Sequence, residues 1–180
     1  MKNRKPMALL LAALLALAVL AGGCSTPKGE GAFTAKTLDG GTFTPEDLAA
    51  KDLTAINFWG TYCAPCIQEM PDLAAFEKAL PDNVQMITVC VDAQFNEATA
   101  SALLEQAGYE GITLVSGDEA FDGLLEGVQA VPTTLFLDST GKQVGTPIIG
   151  GGFQDFSGTF LQAMNQALTA SGKAEISLEE

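Results

Sequence analysis

Cys63-Ala64-Pro65-Cys66 sets two thiols two residues apart, directly after Leu53-Thr54-Ala55-Ile56-Asn57-Phe58-Trp59 and directly before a stretch of helical pattern beginning at Ile67. The first run reads as a buried strand, so the pair falls in a strand-to-helix turn. Thiols so spaced at a helix start can close a small disulfide ring, and the unpaired N–H groups there favour thiolate over thiol. That is redox chemistry. Two other readings stay open: half of a zinc site, or two unrelated buried thiols. Zinc takes about four ligands, and the chain offers no histidine and only Cys24 and Cys90 besides.

What is missing narrows the field further. With no histidine, and with Arg4 the only arginine, Ser-His-Asp and Cys-His catalysis, histidine metal sites and arginine anchors for phosphate are excluded. Thiols, carboxylates, lysines and backbone must carry the chemistry. No cofactor or metal is called for.

The N-terminus carries Lys2, Arg4 and Lys5, an apolar run from Met7 to Leu20, then Ala21-Gly22-Gly23-Cys24. These are the parts of an export signal, and a run of about 14 apolar residues falls short of the roughly 20 that span a bilayer. Leu20 to Cys24 resembles a bacterial lipobox, whose cysteine is acylated and becomes the first mature residue. Ala21 stands where such boxes usually have leucine, and a plain signal peptide ahead of an incidental cysteine is the alternative. Acylation at Cys24 would anchor the chain to the outer face of the cytoplasmic membrane of a bacterium. Without residues 1–23 the chain keeps six lysines against 22 acids, a formal charge of −16. Such a surface repels nucleic acid.

The chain therefore divides into a lipoprotein signal over 1–23, a flexible tether over 24–32, one domain over 33–172 and a polar tail over 173–180. Asp39-Gly40-Gly41 between two short β-patterned runs predicts a hairpin ahead of the main sheet. Thr44 and Pro45 open a short helix. Strand 53–59 leads into a helix to about Leu80, kinked at Pro71. Val84 to Val91 is almost uniformly apolar and β-branched, the pattern of a parallel strand covered on both faces. Asn96 can cap a helix through Gln106. A short strand over 112–115, a short helix over 120–125, a hairpin pairing 133–137 with Gln143-Val144, and a helix over 153–170 follow. Gly150-Gly151-Gly152 lacks the Lys-Ser/Thr of a phosphate loop and reads as a hinge. Alternating strands and helices predict an α/β fold, a central mixed sheet with helices on both faces.

Asn57 to Cys66 with Glu69-Met70-Pro71, and later Val131-Pro132-Thr133 with Leu135 to Asp138 and Gly141-Lys142, resemble the two signatures of the membrane-tethered TlpA/ResA-like thiol-disulfide oxidoreductases of the thioredoxin superfamily. The resemblance covers roughly residues 33–170. It implies a thioredoxin-like fold with an N-terminal β-hairpin extension, Cys63 as attacking thiolate, and Cys66 as the thiol that resolves the mixed disulfide. It implies a cis Pro132 that turns the Val131 backbone toward the cysteines, with Trp59, Tyr62 and Pro65 grouped with it as substrate-binding residues, although Trp59 reads equally as a packing residue beneath the active site. Glu69 matches a glutamate that lies near the thiols in this branch. It is expected to exchange protons with them and restrain their reactivity; the alternative is a solvated acid in the first turns of the helix. Asn57 replaces the buried aspartate of thioredoxins, and Tyr62 the usual tryptophan. Cys90 is expected to be an inert core thiol.

The activity so implied is that of a lipid-anchored extracytoplasmic reductase, acting as a monomer. It would relay electrons from a CcdA/DsbD-like membrane thiol carrier to disulfides of exported proteins, as in cytochrome c maturation or methionine sulfoxide reductase pathways. The same site could run as an oxidase, since direction depends on reduction potential. A Cu(I) carrier using the cysteine pair is a further alternative. Peroxidases of the same fold place a threonine three residues before the attacking cysteine and an arginine nearby; here Gly60 holds the threonine's place.

Overall fold

The computed structural model describes residues 31–179. One seven-stranded sheet runs through them in the order β2-β1-β5-β4-β3-β6-β7. Its centre is β3 (Leu53–Trp59), parallel to β4 (Val84–Cys90) on one side and antiparallel to β6 (Thr133–Asp138) on the other. Beyond β4 lies the parallel β5 (Thr113–Gly117). The expected hairpin, β1 (Ala35–Thr37) and β2 (Thr42–Phe43), extends this same sheet by pairing β1 with β5. This is the mixed-sheet α/β architecture that the alternating pattern predicts, and the thioredoxin-like fold with an N-terminal hairpin extension that the resemblance implies.

Both faces of the central strands are buried, which explains why β3 and β4 read as near-continuous apolar runs. Ile56, Phe58, Ile87 and Val89 point to one core, closed by Leu48 of α1 (Pro45–Ala49) and Phe121 of α4 (Glu119–Glu126). Ala55, Trp59, Met86 and Cys90 point to the other, under α2 (Ala64–Lys78), α3 (Ala93–Ala107) and α5 (Phe156–Ala170). Phe76, Phe156 and Phe160 pack edge-on and stacked where α2 meets α5.

Several local expectations shift. The helix after the cysteines begins at Ala64 rather than Ile67, so Cys63 is its N-cap and Cys66 sits in its first turn; the helix continues through Pro71. The strand partner of β6 is β7 (Ile148–Ile149), paired with Thr133 and Thr134, while Gln143 makes only an isolated bridge to Leu137. Asn96 has non-helical backbone where a short turn meets the main body of α3, but its amide donates to Asp92 instead of capping a free N–H. The last helix starts at Phe156, three residues later than expected, because Asp155 caps it through Gly158 N–H at 2.9 Å.

The segment read as a polar tail lies against the domain. Asn165 exchanges two hydrogen bonds with Ile176, Lys173 pairs with Asp52 at 2.6 Å, and Glu179 N–H donates to Ala79 O at 2.8 Å. Ala32, at the end of the expected tether, is already buried. The signal segment and Cys24 lie outside the described residues, and no described helix is long and apolar enough to cross a membrane.

Candidate functional site: a disulfide at the start of α2

The end of β3 delivers the chain into a tight turn whose sulfurs are joined. Cys63 and Cys66 form a disulfide with Cα atoms 5.3 Å apart, within the usual span for such a bond. Cys66 N–H points at Cys63 Sγ at 3.3 Å, and Pro65 lies in the first turn, where its missing N–H leaves no helix bond unmade. Once reduced, a Cys63 thiolate would face this N–H and the positive end of a 15-residue helix.

Across from the pair, the Val131–Pro132 peptide bond is cis, and Val131 O lies 3.6 Å from Cys63 Sγ. In the disulfide this is a contact; in the reduced state a Cys63 thiol could donate to that carbonyl. Tyr62 is 70 % exposed beside the pair, its ring lying over Gly60, where an added Cβ would come within 2.8 Å of Tyr62 Cε1. Trp59 is wholly buried below, its indole N–H without a partner. It is a packing residue in the floor of the site, as one of its two readings had it, and is not among the substrate-facing residues.

Glu69 lies one turn beyond Cys66 on α2 and is 5 % exposed. Burial pushes its carboxyl up to about 7, with Asn57 of β3 favouring the charged form and Asp72 of α2 opposing it. The Asn57 amide donates to Thr134 Oγ1 at 3.0 Å, and Glu69 Oε2 has no hydrogen-bond partner. The carboxyl is therefore no solvated first-turn acid. Near neutral pH it can hold or release a proton within a helical turn of the sulfurs.

Cys90 ends β4 opposite Trp59, fully buried. Burial pushes its thiol up to about 12, and its sulfur approaches Asp92 Oδ1 at 3.4 Å. Two contributors carried no signal in the sequence. Asp92, just past β4, binds Thr61 ahead of the cysteines. Gly151, in the cluster read as a hinge, lies directly over Glu69. Only its glycine neighbours drew attention to it.

The sequence model described as the AhpC/TSA family matches residues 29–144. The chain belongs to the AhpC/TSA family. Among its relatives, the thioredoxin-like protein YneN of Bacillus subtilis is 30 % identical over 110 residues, covering 61 % of this chain and 63 % of YneN. The thiol-disulfide oxidoreductase ResA of Bacillus anthracis is 29 % identical over 113 residues, covering 62 % of this chain and 63 % of ResA. The match thus spans a little under two thirds of the length of these relatives. Among solved structures, the exposed lipoprotein thioredoxin Etrx1 of Streptococcus pneumoniae superposes with a TM-score of 0.57 at 25 % identity, over 77 % of this chain and 98 % of that one. The ResA-like resemblance carried by the Cys63 and Pro132 stretches is borne out by these relatives.

Proposed function

We propose that this chain is a lipid-anchored, extracytoplasmic thiol-disulfide oxidoreductase that reduces disulfides in exported proteins. The observation that carries the reading is the Cys63–Cys66 disulfide at the start of α2, with Val131 O beside Cys63 Sγ. The name of ResA and the lipoprotein description of Etrx1 support the activity and the anchor at Cys24.

In this mechanism the reduced Cys63 thiolate attacks one sulfur of a substrate disulfide, forming a mixed disulfide and expelling the other substrate sulfur as a thiolate that takes up a proton. The Cys66 thiol loses its proton to Glu69 and attacks Cys63 Sγ. The second substrate thiolate leaves and is protonated. The substrate gains two electrons and two protons, and the protein is left with its Cys63–Cys66 disulfide. A CcdA/DsbD-like membrane thiol carrier returns the electrons by the same exchange in reverse. An extended substrate segment would pair with the backbone of Val131 ahead of Pro132, with Tyr62 and Pro65 against its flank.

Replacing Cys66 with serine tests this directly. The Cys66→Ser chain should accumulate mixed disulfides through Cys63 that name its partners by mass spectrometry, and Cys63→Ser/Cys66→Ser should accumulate none. Adducts that persist in the double variant would overturn the assignment of Cys63. A measured reduction potential then separates reductase from oxidase, and stoichiometric Cu(I) retention without disulfide reduction would favour the carrier.

A further inference from the structure

Glu69 is buried, yet only one residue of backbone separates its carboxyl from water. Gly151 is exposed on the outer side of that layer, and on the inner side a Cβ built on it would land on Glu69 Oε2, far inside van der Waals contact, and 3.2 Å from Pro132 Cγ. The segment is pinned in place. Gly150 N–H donates to Pro132 O at 2.9 Å, and Gly150 and Gly152 both take left-handed backbone, φ +88° and +81°, which other residues adopt only at a cost. The oxygen beneath Gly151 is the one buried carboxylate oxygen without a partner among the described residues.

We infer that Gly151 is a positioning residue, a side-chain-free roof that lets the Glu69 carboxyl stand buried one helical turn from Cys66 and keeps it from water. It thereby sets the pH response of the cysteine pair. The inference rests on Glu69 exchanging protons with that pair. The titratable groups on the packed elements are few. Around Glu69, helix α2 contributes Cys66 and Asp72, with Cys63 at its N-cap; β3 contributes none and presents only the Asn57 amide; Pro132 and Thr134 are not titratable, and Gly150 to Gly152 present none. Asp155, further along the chain, is engaged with Gly158 N–H. Any side chain at 151 must displace the carboxyl or the roof. Either move admits water and brings Glu69 back toward its ordinary value of 4.5.

The test is the pH profile of Cys63 alkylation by iodoacetamide in the reduced full-length chain. The native protein should show an inflection near pH 7 that Glu69→Gln abolishes. Gly151→Ala should move that inflection downward by about one pH unit or more, and should have no effect on the profile in the Glu69→Gln background. If Glu69→Gln removes the inflection but Gly151→Ala leaves it in place, the roof is overturned and the Glu69 reading stands. If Glu69→Gln leaves the profile unchanged, both fall. Should Gly151→Ala fail to fold, Glu69→Ala/Gly151→Ala must fold, because the clashing carboxyl is gone; a double variant that still fails also overturns the inference.

Discussion

Asp92 stands at the N-cap of α3, yet its carboxylate caps Thr61 instead: Oδ1 accepts the Thr61 N–H at 2.9 Å, and Oδ2 accepts the Thr61 hydroxyl. Asn96 Nδ2 donates to the same Oδ2 at 2.9 Å. A single side chain therefore ties the end of β4 to the turn two residues before Cys63. Among the described hydrogen bonds, Thr61 and Tyr62 have no other side-chain tie, and the Tyr62 ring is exposed.

Removing that tie should be costly. Asp92→Ala leaves the Thr61 N–H without its charged acceptor, and hydrogen bonds of this kind are worth about 2 kcal/mol. Burial opposes ionisation of Asp92, but hydrogen bonds from Thr61, Cys90 and Asn96 outweigh it and hold the carboxyl below its ordinary 3.8. Its stabilisation is thus complete above pH 3.8 and lost as pH falls through the lower folded value. Chemical unfolding should show a lower midpoint for Asp92→Ala at pH 7, and the difference from the native chain should shrink in strong acid. A constant difference down to pH 2 would refute the assignment.

Glu69 should act on stability with the opposite sign. In the unfolded chain its carboxyl loses the proton near 4.5, whereas the folded protein keeps it to about 7. Between those values the unfolded state binds fewer protons, so stability falls as pH rises. Glu69→Gln removes this slope and should be the more stable protein at pH 8, by up to about 3 kcal/mol. Urea unfolding of the oxidised protein at pH 5 and pH 8 reads the difference directly. An unchanged slope in the variant would mean that the carboxyl is solvated in the folded state.

Cys90 should be a spectator in turnover. With its thiol raised to about 12 by burial and no exposed surface, it should resist iodoacetamide in the folded protein and react after unfolding. Cys90→Ala should reduce insulin disulfides at the native rate to within about twofold, with a modest loss of stability from the missing sulfur. A tenfold fall in turnover would make it a third redox cysteine.

Peroxidase activity should be absent. The place three residues before Cys63 is Gly60, and a side chain there would run into the Tyr62 ring. No threonine stands three residues before Cys63, and Arg4 is the only arginine in the sequence. Hydroperoxide consumption with dithiothreitol as donor should not exceed that of Cys63→Ser. A rate dependent on Cys63 would reopen that chemistry.

The central sheet and the redox pair were legible in the sequence because their signals are local. Apolar continuity marks β3 and β4 as covered on both faces, and two thiols after such a strand have few other uses. What escaped depends on contacts between distant parts of the chain. Ile148–Ile149 is the more β-branched pair, but Gln143-Val144 lies nearer β6 across an evident turn, and only the packed sheet pairs Ile149 with Thr133. Asp92 looks like any acid at a helix start. Gly151 is one of three adjacent glycines, and its closeness to Glu69 exists only once α2 and β6 are packed together. The docked end of the chain escaped for the same reason, since Ile176 and Leu178 are sparse among polar residues yet pack against the main core.

That docked segment also fixes a polarity in the molecule. It grips Asp52, just ahead of β3, and Ala79, just after α2. Helix α2 carries the cysteines at its other end, about 20 Å away along a helix of this length, and the other end of β3 leads into them. Anything joined behind Glu179, whether a fluorescent reporter, an affinity handle or a solid support, therefore attaches at the far pole from the disulfide and leaves the redox face open to an incoming protein.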